Sequence, residues 1–255
     1  MKFKLVLVFG LLITTMLHAQ ENLIEQLLKS NPTYFKHLTD NPSKYRLQIL
    51  YTQIDRDSKN QAKFTTHAYR VDANEYFYPA STVKLAASVL ALEKINQLKI
   101  DKSTTFQTLK NRPTQLEILR DSTAANGLPS IEHYIKKILL VSDNEAYNRL
   151  YEFLGQKDFN KTMANKGFEG VRFTHRLQTS IPLLENQYTN PVQFINEQGE
   201  VIWQQKEQFN KKQITASTPI LLGKGVMNDS GRIIPHPVNF SFKNAYPIQA
   251  QHDFL

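Results

Sequence analysis

Ser81-Thr82-Val83-Lys84 and, 61 residues on, Ser142-Asp143-Asn144 decide how this chain is read. A Ser followed three positions later by Lys arises about once by chance in a chain of this size, on average residue usage. Ser-Asp-Asn is rarer, found in roughly a few per cent of such chains. Pro79 opens a predicted helix that runs to about Leu98. Val83, Leu85, Ala86, Ala87, Val89, Leu90, Ala91 and Leu92 make it apolar almost all round, as a buried central helix requires. Ser81 and Lys84 then share one face, a turn apart. A serine hydroxyl is a poor nucleophile until a neighbouring base takes its proton. A lysine serves once burial lowers its pKa. In the plainer reading Ser81 caps a core helix and Lys84 reaches solvent. Against it, Lys84 is the only charge between Pro79 and Glu93. Ser142-Asp143-Asn144 falls between two predicted helices, where Ser and Asn can cap the second. As a functional loop, Ser142 would relay a proton to the leaving group and Asn144 would hydrogen-bond a substrate amide.

The segments Tyr78-Pro79-Ala80-Ser81-Thr82-Val83-Lys84 and Val141-Ser142-Asp143-Asn144-Glu145-Ala146-Tyr147-Asn148 resemble the class A β-lactamase group of penicillin-recognising serine hydrolases. The resemblance covers residues 22 to about 190 and implies an α/β (α+β) fold, an antiparallel sheet lobe packed on an all-α lobe. It implies Ser81 as nucleophile, Lys84 as base, Ser142 as proton relay and Asn144 as substrate ligand. It implies no cofactor and no metal. The partners it implies are a small-molecule β-lactam or a peptidoglycan stem peptide, taken by a monomer.

The chain departs from that family twice. Class A enzymes carry a Glu-x-x-Leu-Asn loop whose Glu activates the deacylating water. Here the stretch is Arg176-Leu177-Gln178-Thr179-Ser180-Ile181-Pro182-Leu183-Leu184-Glu185-Asn186, with Glu185 its only acid, displaced toward the end. Glu185 is therefore either the deacylation base of an altered loop or a surface residue. The third family motif, Lys-Thr-Gly, is not found, and Gly223-Lys224-Gly225 resembles it only superficially. The expected sheet is thus incomplete, and the 255 residues read as the front of a longer protein with insertions at about 190–240. The alternative is a complete chain that has lost catalysis.

Residues 1–19 read as a secretory signal peptide: Lys2 and Lys4, an apolar run from Leu5 to Met16, then Leu17-His18-Ala19 before Gln20. That run is too short to span a bilayer. A periplasmic or secreted domain over 20–255 follows, with no membrane contact after cleavage. The chain has no Cys, so such a protein relies on its core rather than on disulfides. The net charge of +8 suits anionic partners and equally suits scattered surface lysines; no basic run argues for nucleic acid. The seven histidines are isolated, none at a metal-ligand spacing.

Helices are predicted at 22–38, 130–140, 144–153 and 158–166. Hairpins are predicted over 45–71, 192–204 and 223–234. The function expected is acylation of Ser81 by β-lactams, with β-lactam hydrolysis and antibiotic resistance. The alternatives are a D-alanyl-D-alanine peptidase or penicillin-binding protein, and an inactive cell-wall-binding homologue.

Overall fold

Pro32 lacks the N–H that a helix interior needs, and the helix predicted over 22–38 is accordingly two, α1 (Leu23–Ser30) and α2 (Pro32–Thr39). The computed structural model describes residues 22–228 and 230–255, so the expected signal peptide lies outside the described residues. The chain divides into two units, residues 1–71 and 72–255.

In the first unit the Asn22 side chain caps α1, its Oδ1 accepting from Ile24 N at 2.9 Å. β1 (Ile49–Arg56) and β2 (Ala62–Tyr69) pair antiparallel, from Ile49 opposite Tyr69 to Arg56 opposite Ala62. Their turn is set by Asp57, whose Oδ1 accepts from Lys59 N and Gln61 N, both at 2.8 Å. Cross-strand pairs stabilise the ribbon: Thr52 and Thr66 hydroxyls lie 2.7 Å apart and Tyr51 stacks on His67.

The second unit is built around the apolar helix the sequence marks. A 3-10 turn, Ala80–Thr82, leads into α3 (Val83–Leu98), whose Val83, Ala86, Ala87, Leu90, Ala91 and Ile95 are buried. Val89 alone breaks the pattern, at 43% exposed. β3 (Thr105–Thr108) follows, then α4 (Ile131–Val141), capped by Ser130 Oγ accepting from His133 N. Next come α5 (Asn144–Leu154) and α6 (Gln156–Asn165), divided by Gly155 at φ +77°. α3 packs against α4 and α5.

β4 (Tyr188–Thr189), β5 (Val192–Ile195), β6 (Val201–Gln205) and β7 (Gln208–Phe209) come after a long loop. The antiparallel sheet runs β3-β5-β6, and β4 pairs with β7. The mixed α/β class matches the sequence reading, but the helical unit is not all-α, because it holds this three-stranded sheet. β3 escaped the reading because four residues give too short a period to detect. Its Phe106 packs on Phe194 and Phe153 at 5.1 and 5.4 Å between ring centroids, and Phe153 meets Trp203 at 5.9 Å. Each such pair contributes about 0.5–1.5 kcal/mol beyond its buried area.

Four two-residue strands form two separate antiparallel pairs: β8 (Leu221–Leu222), β9 (Val226–Met227), β10 (Ile233–Ile234) and β11 (Val238–Asn239). β8 pairs with β11 and β9 with β10. Gly223-Lys224-Gly225 lies between β8 and β9. It lies on no strand of the three-stranded sheet. α7 (Ile248–Phe254) closes the described chain, with Tyr246 and Ala250 in the core. No helix among the described residues is long and apolar enough to cross a membrane.

Candidate active site

α5 carries Asn144, Asn148 and Glu152 four residues apart, so a polar stripe runs down an otherwise apolar helix. Its first residue, Asn144, faces the start of α3. There Lys84 Nζ donates to Ser81 Oγ at 3.1 Å, Ser142 Oγ at 2.9 Å and Asn144 Oδ1 at 2.7 Å, and also to the Ser142 carbonyl. Ser142 Oγ donates to Ser81 Oγ at 3.1 Å. The four residues expected from the sequence therefore form one cluster, with Ser142 within hydrogen-bond reach of both Ser81 and Lys84.

Lys84 is the floor of this cluster, only 3% exposed, while Ser81 and Ser142 open to solvent. Burial pushes the Lys84 ammonium below its ordinary value; the nearby Asp143 carboxylate pulls the other way with less effect. An ammonium has three protons to offer, and four oxygens surround Nζ. The geometry thus suits an amine that takes the Ser81 proton and holds it among ready acceptors.

The backbone is strained where the cluster assembles. Ala80, Ser142 and Gln178 all have left-handed φ values, +46°, +54° and +51°. Such conformations cost of order 1–3 kcal/mol each for residues bearing a Cβ. Ser142 is the C-terminal cap of α4, so its left-handed turn aims Oγ back toward Ser81. Asp143 caps α5 through Oδ1, which accepts from Ala146 N at 2.8 Å, and its carboxylate also lies 3.5 Å from Lys137.

Gln178 is the residue the sequence reading missed. Asn144 Nδ2 donates to its Oε1 at 2.6 Å, which joins the loop after α6 to the cluster. The loop is held in place by the α5 stripe. Asn148 Oδ1 accepts from Leu177 N at 2.8 Å and Asn148 Nδ2 donates to Leu177 O at 3.1 Å. Glu152, 1% exposed, takes Arg176 Nε at 2.8 Å and Arg149 at 2.9 Å on the same oxygen. His175 stacks beside Tyr78, its Nδ1 2.6 Å from Arg176 O, and burial lowers its pKa.

Glu185, the acid the sequence offered as a base, is not brought into the cluster. Its carboxylate accepts from Thr114 Oγ1 at 2.7 Å and lies 3.8 Å from Arg112. It begins a 3-10 turn, Glu185–Gln187, seven residues past Gln178, and that turn aims it toward Arg112. Among the described residues no group of three or more His, Asp or Glu is arranged to hold a metal.

The model of the β-lactamase enzyme family matches residues 36–224. Solved structures similar to the chain include a β-lactamase from Burkholderia vietnamiensis, 18% identical, with 63% of this chain and 54% of that chain covered and a TM-score of 0.38. A β-lactamase from Desulfarculus baarsii is 20% identical over 61% of this chain and 55% of its own, with a TM-score of 0.37. An ancestral class A β-lactamase is 20% identical over 60% and 54%, with a TM-score of 0.34. The chain spans about half the length of these structures. No curated protein matches it.

Proposed function

Because the chain belongs to the β-lactamase enzyme family, we propose that it is an exported serine hydrolase whose Ser81 is acylated by β-lactams. The observation that carries this reading is the Lys84 amine, buried and lowered in pKa, 3.1 Å from the Ser81 hydroxyl. In acylation, Lys84 Nζ takes the Ser81 proton as Oγ bonds to the lactam carbonyl carbon. The C–N bond breaks, and Ser142 Oγ, bonded to both Ser81 and Lys84, passes the proton to the departing nitrogen. The half-buried Asn144 amide orients the substrate's own amide. The signal-like residues 1–19 support export to the periplasm or beyond. A role in antibiotic resistance follows if acylation leads on to hydrolysis.

A fluorescent penicillin tests this reading. The protein should be labelled covalently and Ser81→Ala should not. Equal labelling of both would remove Ser81 from the role.

A further inference from the structure

An acyl-enzyme on Ser81 is released only when water attacks its ester carbonyl. The water oxygen bonds to the acyl carbon, the carbon–Oγ bond breaks, Oγ regains a proton, and a base takes the proton that water loses. That base must sit within about 3 Å of the water, beside the acylated serine.

The described residues around the cluster offer little for this task. Asp143 is occupied by the α5 N-terminus and Lys137. Glu145 points outward and lies 3.7 Å from Arg149. Glu185 is held by Thr114 and Arg112. Lys84 hands the Ser81 proton on through Ser142 during acylation, and its buried Nζ then stays engaged with the Ser142 carbonyl and hydroxyl and with Asn144 Oδ1 on the floor of the cluster. The side chain that the loop after α6 holds against Asn144 is Gln178. It is open to solvent and set there by a strained backbone and by the grip of Asn148 on Leu177.

We propose that Gln178 is a positioning residue of this site whose carboxamide stands where a water-activating carboxylate would act, so that the acyl-enzyme persists. The argument rests on acylation at Ser81. An amide oxygen accepts a hydrogen bond but is far too weak a base to take a proton from water at neutral pH. Gln178 Oε1 instead fixes the Asn144 amide, turning Oδ1 toward Lys84 and Nδ2 toward the loop. The site is thereby suited to binding and trapping β-lactams or stem peptides rather than to rapid turnover.

Gln178→Glu is nearly isosteric and leaves an acceptor for Asn144 Nδ2, so it tests the idea on the full chain. The acyl-enzyme is formed with a chromogenic cephalosporin and its decay followed by intact mass. In the wild type one equivalent should react in a burst and the adduct should persist. In Gln178→Glu the adduct should decay about 10²–10⁴-fold faster, the usual contribution of a positioned base. That rate should rise with pH as the new carboxyl ionises. Gln178→Ala separates a new base from a loosened loop: it should acylate more slowly, because the Asn144 amide loses its anchor, while the adduct it does form should not decay at the rate of Gln178→Glu. Wild-type adduct that never accumulates during turnover would overturn the proposal. So would unaltered decay in Gln178→Glu, or decay in Gln178→Ala as fast as in Gln178→Glu. If neither wild type nor Gln178→Glu forms an adduct on Ser81, the acylation reading itself fails.

Discussion

Replacing Lys84 by Met is the perturbation that separates chemistry from architecture at this site. Methionine keeps an unbranched apolar stem in the buried start of α3 and removes only the amine. Ser81 Oγ then has Ser142 Oγ at 3.1 Å as its remaining partner in the cluster, and that hydroxyl is no base. Loss of a positioned base costs about 10²–10⁴ in rate, which is about 2.7–5.4 kcal/mol in the barrier. Stability should move little or rise. Burying the ammonium disfavours the folded state, and Ser81 and Ser142 are open enough for water to replace Nζ as their partner.

The pH dependence gives a second handle. Acylation needs neutral Lys84, whose pKa is lowered in the folded protein, so the rate should rise with pH through that lowered value. The same shift makes folding stability rise with pH between the lowered value and 10.5, where the unfolded chain binds the extra proton. Stopped-flow labelling with a fluorescent penicillin across pH would show both the drop in rate and the loss of the alkaline rise in Lys84→Met. Labelling within about tenfold of wild type, with the pH rise intact, would refute Lys84 as the base.

Three further outcomes follow from the same geometry. Glu152→Gln leaves the buried Arg176 without its counter-charge and Arg149 with only the exposed Glu145 at 3.7 Å, and should destabilise the fold by about 3–5 kcal/mol in urea unfolding; a loss below about 1 kcal/mol would show that the network is structurally idle. Lys94 lies over the Phe153 ring at 4.3 Å, and burial lowers its pKa to about 8. Wild-type stability should therefore gain as pH rises from about 8 to 10.5, and Lys94→Met should reduce that gain in thermal unfolding, leaving the part that Lys84 supplies. Glu185→Gln should leave both labelling and adduct decay unchanged, because that carboxylate is engaged with Thr114 and Arg112; faster or slower decay would return Glu185 to the reaction.

Much of this site is legible in the sequence because its signals are local. Ser81 and Lys84 are one turn apart on a helix whose apolar run is unmistakable, and Ser142-Asp143-Asn144 sits between two helices that end and begin with recognisable caps. Gln178 was invisible for a physical reason. A search for a base looks for an acid, and the loop's one acid is Glu185; nothing local shows that Asn148, thirty positions earlier, grips the Leu177 backbone. The left-handed residues Ala80, Ser142 and Gln178 were equally hidden, since no glycine marks them. In the fold, β3 and the two-residue strands fall below the length at which alternation is readable. The split between α1 and α2, by contrast, was written in Asn31-Pro32.

The central claim is that Ser81, activated by Lys84, becomes acylated. Peptide mapping by mass spectrometry after exposure to benzylpenicillin tests it most directly. The account predicts a single adduct of one penicillin mass on the peptide containing Ser81, absent in Ser81→Ala and strongly slowed in Lys84→Met. An adduct on Ser142 or on a surface lysine, or no adduct at all in the folded protein, would contradict it.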